Sequence, residues 1–322
     1  MSRKMAQNND IGIVAIGGGT GLSTILYGLK HISSDITAVV TVADDGGSSG
    51  RLIADFDIPP PGDIRNCLVA LAKEENLMSS LFLYRFDRGD VSGHSFGNLL
   101  IAALSEITGD FISAIKQASS ILNIKGKVLP STLSKVSLEA VLIDGTKILG
   151  QSKIMKSPSP IDRIVLVPED VPAMPEVIES ILKAKFVIIG PGSLFTSIIP
   201  NLLIRDLTEA IEKTNATRIY ICNVMTQHGE TDGFNAQKHL SKIFEHSNRR
   251  VIDFIMVNNT VIPGSLIGAY IKEDAHPVEY DIGSLRRMGV KVIEDDLLSF
   301  TNLVRHDPAK VANSIKHNFK LR

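Results

Sequence analysis

The residues best suited to chemistry stand in two glycine loops and one acidic loop. Gly17, Gly18, Gly19, Thr20 and Gly21 lie between the apolar run Ile11 to Ile16 and a segment with helical spacing. Glycines let a backbone turn tightly and bring its N–H groups against an anion, and the start of a helix adds partial positive charge. The last glycine falls one residue too early for GxGxxG, and no GK[ST] ending follows. The loop therefore predicts a phosphate-bearing nucleotide ligand but argues against NAD; the bland alternative is a tight strand-to-helix turn with no ligand. Gly190-Pro191-Gly192-Ser193 repeats the layout, with Ser193 placed to cap a helix or touch a phosphate.

Asp44 and Asp45 follow a second apolar run, and Asp63 lies beyond them. Carboxylates beside a phosphate can hold Mg²⁺, a hard cation that shares its oxygen ligands with phosphates. Asp45 and Asp63 are the candidate ligands, and all three aspartates are candidates for catalysis. Asp44 can instead bond a ribose hydroxyl, and Asp63 is also placed to cap a helix. Between them, Gly46 to Gly50 matches GxSxG literally. A nucleophile elbow needs a helix directly after the serine, and a proline-rich loop soon follows, so Ser48 and Ser49 read as hydroxyls wrapping a phosphate. Arg51 and Arg65 can clamp phosphate oxygens. His94 is a candidate acid or base, and Asn98 and Asn223 are candidate ligand contacts. The polar stretch from Asn223 to Asp232 follows a buried run and is expected to line the same cleft. No HExxH, paired HxH or cysteine–histidine cluster is present.

These residues need elements to position them. Ile11 to Ile16 and Ile36 to Val42 are continuous β-branched runs, as expected of strands buried on both faces. Leu22, Ile25, Leu26 and Leu29 recur at helical spacing between them, which makes a βαβ unit. Asp44 to Asp63, rich in glycine and proline, reads as one long functional loop. Helices are expected from Asp63, from Phe96 to Ile107 and from Asp110 to Ile121. Lys135 to Ile143 and Thr146 to Ile154 alternate around Asp144-Gly145, a hairpin signal, with Ser157 to Pro160 as a closing linker. Parallel strands at Arg163 to Val167, Phe186 to Ile189, Arg218 to Cys222 and Val251 to Val257 then alternate with helices, the last from Pro308 to Phe319. The fold class predicted is α/β, a doubly wound Rossmann-like parallel sheet with a β-hairpin insertion.

The 322 residues are 44% hydrophobic and 21% charged with a formal net charge of -1. No basic excess marks a nucleic-acid binder. Two distant cysteines, Cys67 and Cys222, make neither a disulfide framework nor a zinc site. The apolar stretch behind the short basic start is too short and glycine-broken for a membrane span, so the expected location is the cytoplasm.

Together, AIGGGTGLSTILYGLK, TVADDGGSSGRL, PPGDIRNCLVAL, HSFGNLLIAALSEITGDF, GPGSLFTSIIPNLL and CNVMTQHGETDGF closely resemble the bacterial gluconeogenesis factor family, a relative of the 2-phospho-L-lactate transferases. The resemblance runs from about Ile13 to Lys310. It implies one α/β domain over residues 1–322, with the antiparallel insertion at 130–160 inside it. It also implies a UDP-sugar-binding regulator that supports growth on gluconeogenic carbon and cell-shape or wall homeostasis through a protein partner. The alternative it implies is a Mg²⁺-dependent transferase using a nucleotide diphosphate donor. Carried over, the ligand loops are Gly17 to Gly21, Asp44 to Arg51, the helix start at Asp63, and Gly190 to Ser193. Arg305 is then a diphosphate contact and Tyr270 a base or sugar contact. A homodimer is the expected assembly.

Overall fold

Strand β1 (Ile13–Gly17) reads IVAIG, and every residue of it is buried. Ile13 and Ala15 face one core while Val14 and Ile16 face another, as a strand covered on both faces requires. The same division holds along β2 (Ile36–Val40). The computed structural model describes residues 10–157, 159–300 and 303–321; the short basic start lies outside them.

Next in the chain comes β3 (Lys127–Pro130). β4 (Ser137–Leu142), β5 (Lys147–Leu149) and β6 (Ile161–Val167) form a separate antiparallel sheet in the order β5-β4-β6. The chain then returns with β7 (Phe186–Ile189), β8 (Thr217–Ile221), β9 (Phe254–Asn258) and β10 (Lys291–Asp295). A small hairpin, β11 (Leu298–Phe300) with β12 (Val304–His306), ends the strands. The central sheet has seven strands in the order β10-β9-β8-β7-β1-β2-β3, and every neighbouring pair is parallel. From β1 the chain winds outward to β2 and β3; after the insertion it restarts at β7, on the other side of β1, and winds outward to β10. The switch point is thus between β1 and β7, where open α/β sheets bind ligands.

Helices cover both faces. Gly19–Leu29 places Leu22, Ile25, Leu26 and Leu29 in one core, where Pro61–Leu71, Phe96–Thr108, Phe111–Leu122 and Pro308–Asn318 also pack. Pro175–Lys183, Arg205–Lys213 and Ala236–Ser247 pack on the other core together with the inner face of β4 and β6. Burial of each large aliphatic side chain contributes about 1.5–3 kcal/mol. Gly28 lets two helices meet: a Cβ there would fall 1.9 Å from the Pro308 carbonyl oxygen. Among the described residues no helix is long and apolar enough to cross a membrane.

Several expectations need correction. Asp44 to Asp63 is not a continuous loop, because Gly47–Phe56 is helical and buries Ser48, Ser49 and Leu52; the glycines at its start hid the helical spacing. Asp63 does not cap its helix. It sits in the first turn of Pro61–Leu71, whose cap position is Pro60. Arg163 to Val167 belongs to antiparallel β6, not to the parallel sheet. Its buried Ile164 and Leu166 alternate with more exposed neighbours, the pattern of a strand covered on one face only. The strand expected over Thr146 to Ile154 shortens to β5, and Gly150 at φ 103 turns the chain into the short helix Gln151–Ile154. The antiparallel sheet consequently runs on to Val167. The strand expected over Val251 to Val257 starts three residues later, since β9 begins at Phe254.

Candidate functional site

The two glycine loops leave adjacent strands and touch. A Cβ at Gly21 would lie 2.4 Å from the Pro191 carbonyl oxygen and 2.9 Å from Gly192 Cα. Gly190 N donates to Ile16 O at 2.9 Å, and Asn201 Nδ2 donates to Gly17 O at 3.2 Å. Asn223, just past β8, brackets Gly192 from both sides: Gly192 N donates to its Oδ1 at 3.2 Å, and its Nδ2 donates to Gly192 O at 2.8 Å.

Above this contact opens a cleft of about 440 Å³, within the usual range for small-molecule sites. Its lining includes Gly18, Gly19, Thr20, Gly21, Gly192, Ser193, Asn223, Tyr270 and Arg305, all expected from the sequence. Met225 and Gln227 come from the polar stretch behind β8, which was expected here as well. Tyr270 is fixed by the hairpin: Val304 N donates to its hydroxyl at 2.8 Å. Arg305 is exposed and follows directly. Thr196, Gln151, Met155 and His306 also line the cleft and were not anticipated as contacts. Gln151 and Met155 come from the insertion, and nothing in the local sequence signals that they reach over the site. His306 is buried and bonds the Cys222 carbonyl at 3.1 Å; burial pushes its pKa down to about 4, so it is a neutral wall of the cleft at pH 7.

The acidic residues divide. The Asp63 carboxylate accepts from Gly19 N at 2.6 Å, so it sits at the start of the helix behind the first glycine loop. Burial, with a further push from Asp44, raises its pKa to about 6 against the stabilising Gly19 bond. Asp44 accepts from Gly46 N at 3.0 Å, and burial raises its pKa also. Asp45 turns elsewhere and accepts from Ser152 N at 2.9 Å, tying the insertion's short helix to the acidic loop. Asp63 contacts the first loop and Asp44 lies close enough to raise its pKa; the two desolvated carboxylates are of a type that suits a hard cation, and neither lines the cleft. Among the described residues no group of three or more His, Cys, Asp or Glu side chains gathers as a metal site.

Ser48 and Asn98 do not line the cleft. Ser48 Oγ bonds His94 Nδ1 at 2.9 Å and accepts from Asn98 Nδ2 at 3.1 Å. Arg65 Nη1 donates to Asn98 Oδ1 at 2.9 Å and also reaches Ser95 Oγ, while Nη2 donates to Asn66 at 2.7 Å. Arg65 is therefore a buried organiser, its pKa brought down to about 10 by burial and by Arg85. His94 is depressed by burial and by Arg51. The helix that the GxSxG reading found missing is present, but its serine is closed inside this network, with 6% of its surface exposed. Ser49 is buried near Gly62, and Arg51 Nη2 donates to Ser92 O at 2.8 Å. Gly17, Gly190, Asp44, Ser49 and Arg51, expected as ligand contacts, are not among the residues lining the cleft. Cys67 and Cys222 are buried and unpaired by disulfide.

The model of the family described as 2-phospho-L-lactate transferase CofD matches residues 13–298. The Bacillus subtilis protein named gluconeogenesis factor is 49% identical over 303 residues, covering 94% of this chain and 96% of that one. The Halalkalibacterium halodurans protein of the same name is 48% identical over 305 residues, covering 94% and 95%. A crystal structure of a UPF0052-family protein from Bacillus halodurans superposes with a TM-score of 0.92 at 47% identity, covering 95% of this chain and 98% of that one. The chain belongs to the CofD family and groups with the gluconeogenesis factors within it.

Proposed function

We propose that this member of the gluconeogenesis factor group is a cytoplasmic regulator that binds a nucleotide sugar, a UDP-sugar in preference to NAD, in the cleft between its two glycine loops. The observation that carries the reading is the contact of Gly21 with Pro191 and Gly192 at the switch point, because it joins two ligand loops into one site of about 440 Å³. A diphosphate at the first loop meets the start of a helix. Arg305, exposed at the rim, supplies a counter-charge, and Tyr270 offers a ring to the base or sugar. Ligand status would be passed to a regulatory protein partner in wall-precursor or central carbon metabolism, which requires different affinities for that partner with the cleft full and empty. In the cell, the role we propose is support of growth on gluconeogenic carbon and of cell shape.

The test is thermal stability against UDP-N-acetylglucosamine, UDP-glucose, NAD, NADP, GTP and GDP, each with and without Mg²⁺. A ligand at about 100 times its dissociation constant adds roughly 2.7 kcal/mol. Stabilisation by the UDP-sugars, with no product formed on incubation, is the expected outcome; stabilisation by NAD alone would sink the reading.

The paired carboxylates favour a second reading, a Mg²⁺-dependent transferase. Asp44 and Asp63 would hold the ion, which would neutralise diphosphate charge during transfer. The chain's part would be to align the donor on the first loop. Turnover of a guanine or uridine nucleotide donor that Asp44→Asn abolishes would move the assignment to this reading.

A further inference from the structure

The two glycine loops look alike in sequence but offer a ligand opposite hydrogen-bonding partners. At the first loop, only Gly19 N is committed to a side chain, that of Asp63. The N–H groups of Gly18, Thr20 and Gly21 belong to the start of an eleven-residue helix, where no intrahelical acceptor exists. That loop presents donors.

The second loop has turned two of its three N–H donors inward, leaving that of Ser193. Gly190 N is spent on Ile16 O and Gly192 N on Asn223, and Pro191 has no N–H. The helix that follows opens as a five-residue π-helix, Leu194–Ile198, and continues as Ile199–Leu202. Its start is already occupied by an anion of the protein itself. Glu230, 4% exposed, accepts from the Ser193 hydroxyl, from Thr196 Oγ1 at 3.2 Å and from the Phe195 N–H. Thr196 Oγ1 also lies 2.5 Å from Ser193 Oγ. With its proton given to Glu230, Ser193 Oγ has only lone pairs left for the cleft it lines. A phosphate, which brings only acceptors and a negative charge, meets a single loop N–H there, beside the Glu230 carboxylate. A sugar hydroxyl, which donates, finds its match in Ser193 Oγ.

We propose that the second glycine loop recognises a hydroxyl-bearing part of the ligand rather than a phosphate, with Glu230 as the positioning residue that sets Ser193 as an acceptor. This rests on the nucleotide-sugar reading of the cleft. It replaces the expectation that both loops hold phosphate and leaves the diphosphate to the first loop. The hydroxyl donor belongs either to the ribose or to the hexose.

Titration calorimetry of inorganic pyrophosphate, UDP and UDP-N-acetylglucosamine into wild type, Ser193→Ala and Gly21→Ala tests it. Ser193→Ala is expected to leave pyrophosphate affinity within about twofold and to weaken a hydroxyl-bearing ligand by about tenfold, the order of one lost hydrogen bond. A loss already seen with UDP assigns the ribose; a loss seen only with UDP-N-acetylglucosamine assigns the hexose. Gly21→Ala is expected to weaken all three. A tenfold loss of pyrophosphate in Ser193→Ala, or no loss of any ligand in it, would overturn the proposal. A second arm needs no nucleotide: Glu230→Ala exposes Ser193, Thr196 and Phe195 N–H to an outside anion, so inorganic phosphate should raise its melting temperature by more than it raises that of wild type. Equal shifts in the two proteins would contradict the role given to Glu230. If wild type binds pyrophosphate but neither UDP nor its sugar, the nucleotide-sugar reading fails, while the pyrophosphate and Glu230→Ala arms still decide which loop takes phosphate.

Discussion

Replacing Asp63 by Asn should make the ligand-free protein more stable at neutral pH. Asp63 is half-buried against the start of the first glycine loop's helix, and desolvation there raises its pKa from 3.8 to about 6. A carboxyl whose folded pKa is raised contributes stability that is fully present below its unfolded pKa and lost as pH rises through the folded value. A rise of that size corresponds to about 3 kcal/mol of penalty above pH 6. Asn keeps an oxygen to accept from Gly19 N, 2.6 Å from the carboxylate; the ionic part of that bond is already contained in the raised pKa, and desolvating the amide NH2 returns about 1 kcal/mol. The net gain at pH 7 is then on the order of 1–2 kcal/mol, or roughly 2–6 °C in melting temperature. Melting wild type and Asp63→Asn from pH 4 to 8 measures it. The advantage of Asn should be largest above pH 6 and shrink as the pH falls toward 4. An Asn variant less stable than wild type at pH 7 would show that the ionised Asp63 carboxylate is a net support of the fold and refute the reasoning.

Gly21→Ala should cost about 1–3 kcal/mol by overpacking against Pro191, read as a lower urea midpoint, and should reduce ligand-induced stabilisation. Ile188, wholly buried in β7, should lose about 2–5 kcal/mol on substitution by Ala, without changing pyrophosphate specificity among folded molecules. Ser48→Ala leaves Asn98 Nδ2 and His94 without their shared partner; a loss of about 1–3 kcal/mol in chemical denaturation is expected. His306 has a folded pKa pushed down to about 4, so the unfolded chain binds more protons between that value and about 6.5. Its contribution is present above the upper value and lost as pH falls toward 4, opposite in slope to Asp63. His306→Gln should therefore flatten the acid side of the stability profile measured by thermal melts.

The parallel sheet was legible because strands covered on both faces write continuous apolar runs, as Ile13 to Ile16 and Phe186 to Ile189 do. The glycine loops were legible because their strand–glycine–helix order is local. β3 and β10 were not anticipated: Lys127–Pro130 and Lys291–Asp295 sit at the two sheet edges, where strands mix exposed and buried positions. Arg163 to Val167 has strand composition, but only its pairing with β4 reveals the second sheet. The same limit applies at the site. Asp44, Asp45 and Asp63 look equivalent as residue types, and only the fold sends Asp45 to Ser152 and Asp63 to Gly19. Glu230 lay in a loop read as polar lining, yet its burial against Ser193 depends on a contact across 37 positions of sequence.

A crystal structure of the protein grown with UDP-N-acetylglucosamine would decide whether the two glycine loops form one nucleotide-sugar site. The ligand is expected in the cleft, with its diphosphate within hydrogen-bonding distance of Thr20 and Gly21 N–H and a sugar hydroxyl on Ser193 Oγ. A nucleotide sugar bound away from the two glycine loops, or a cleft left empty at saturating ligand, would contradict that placement.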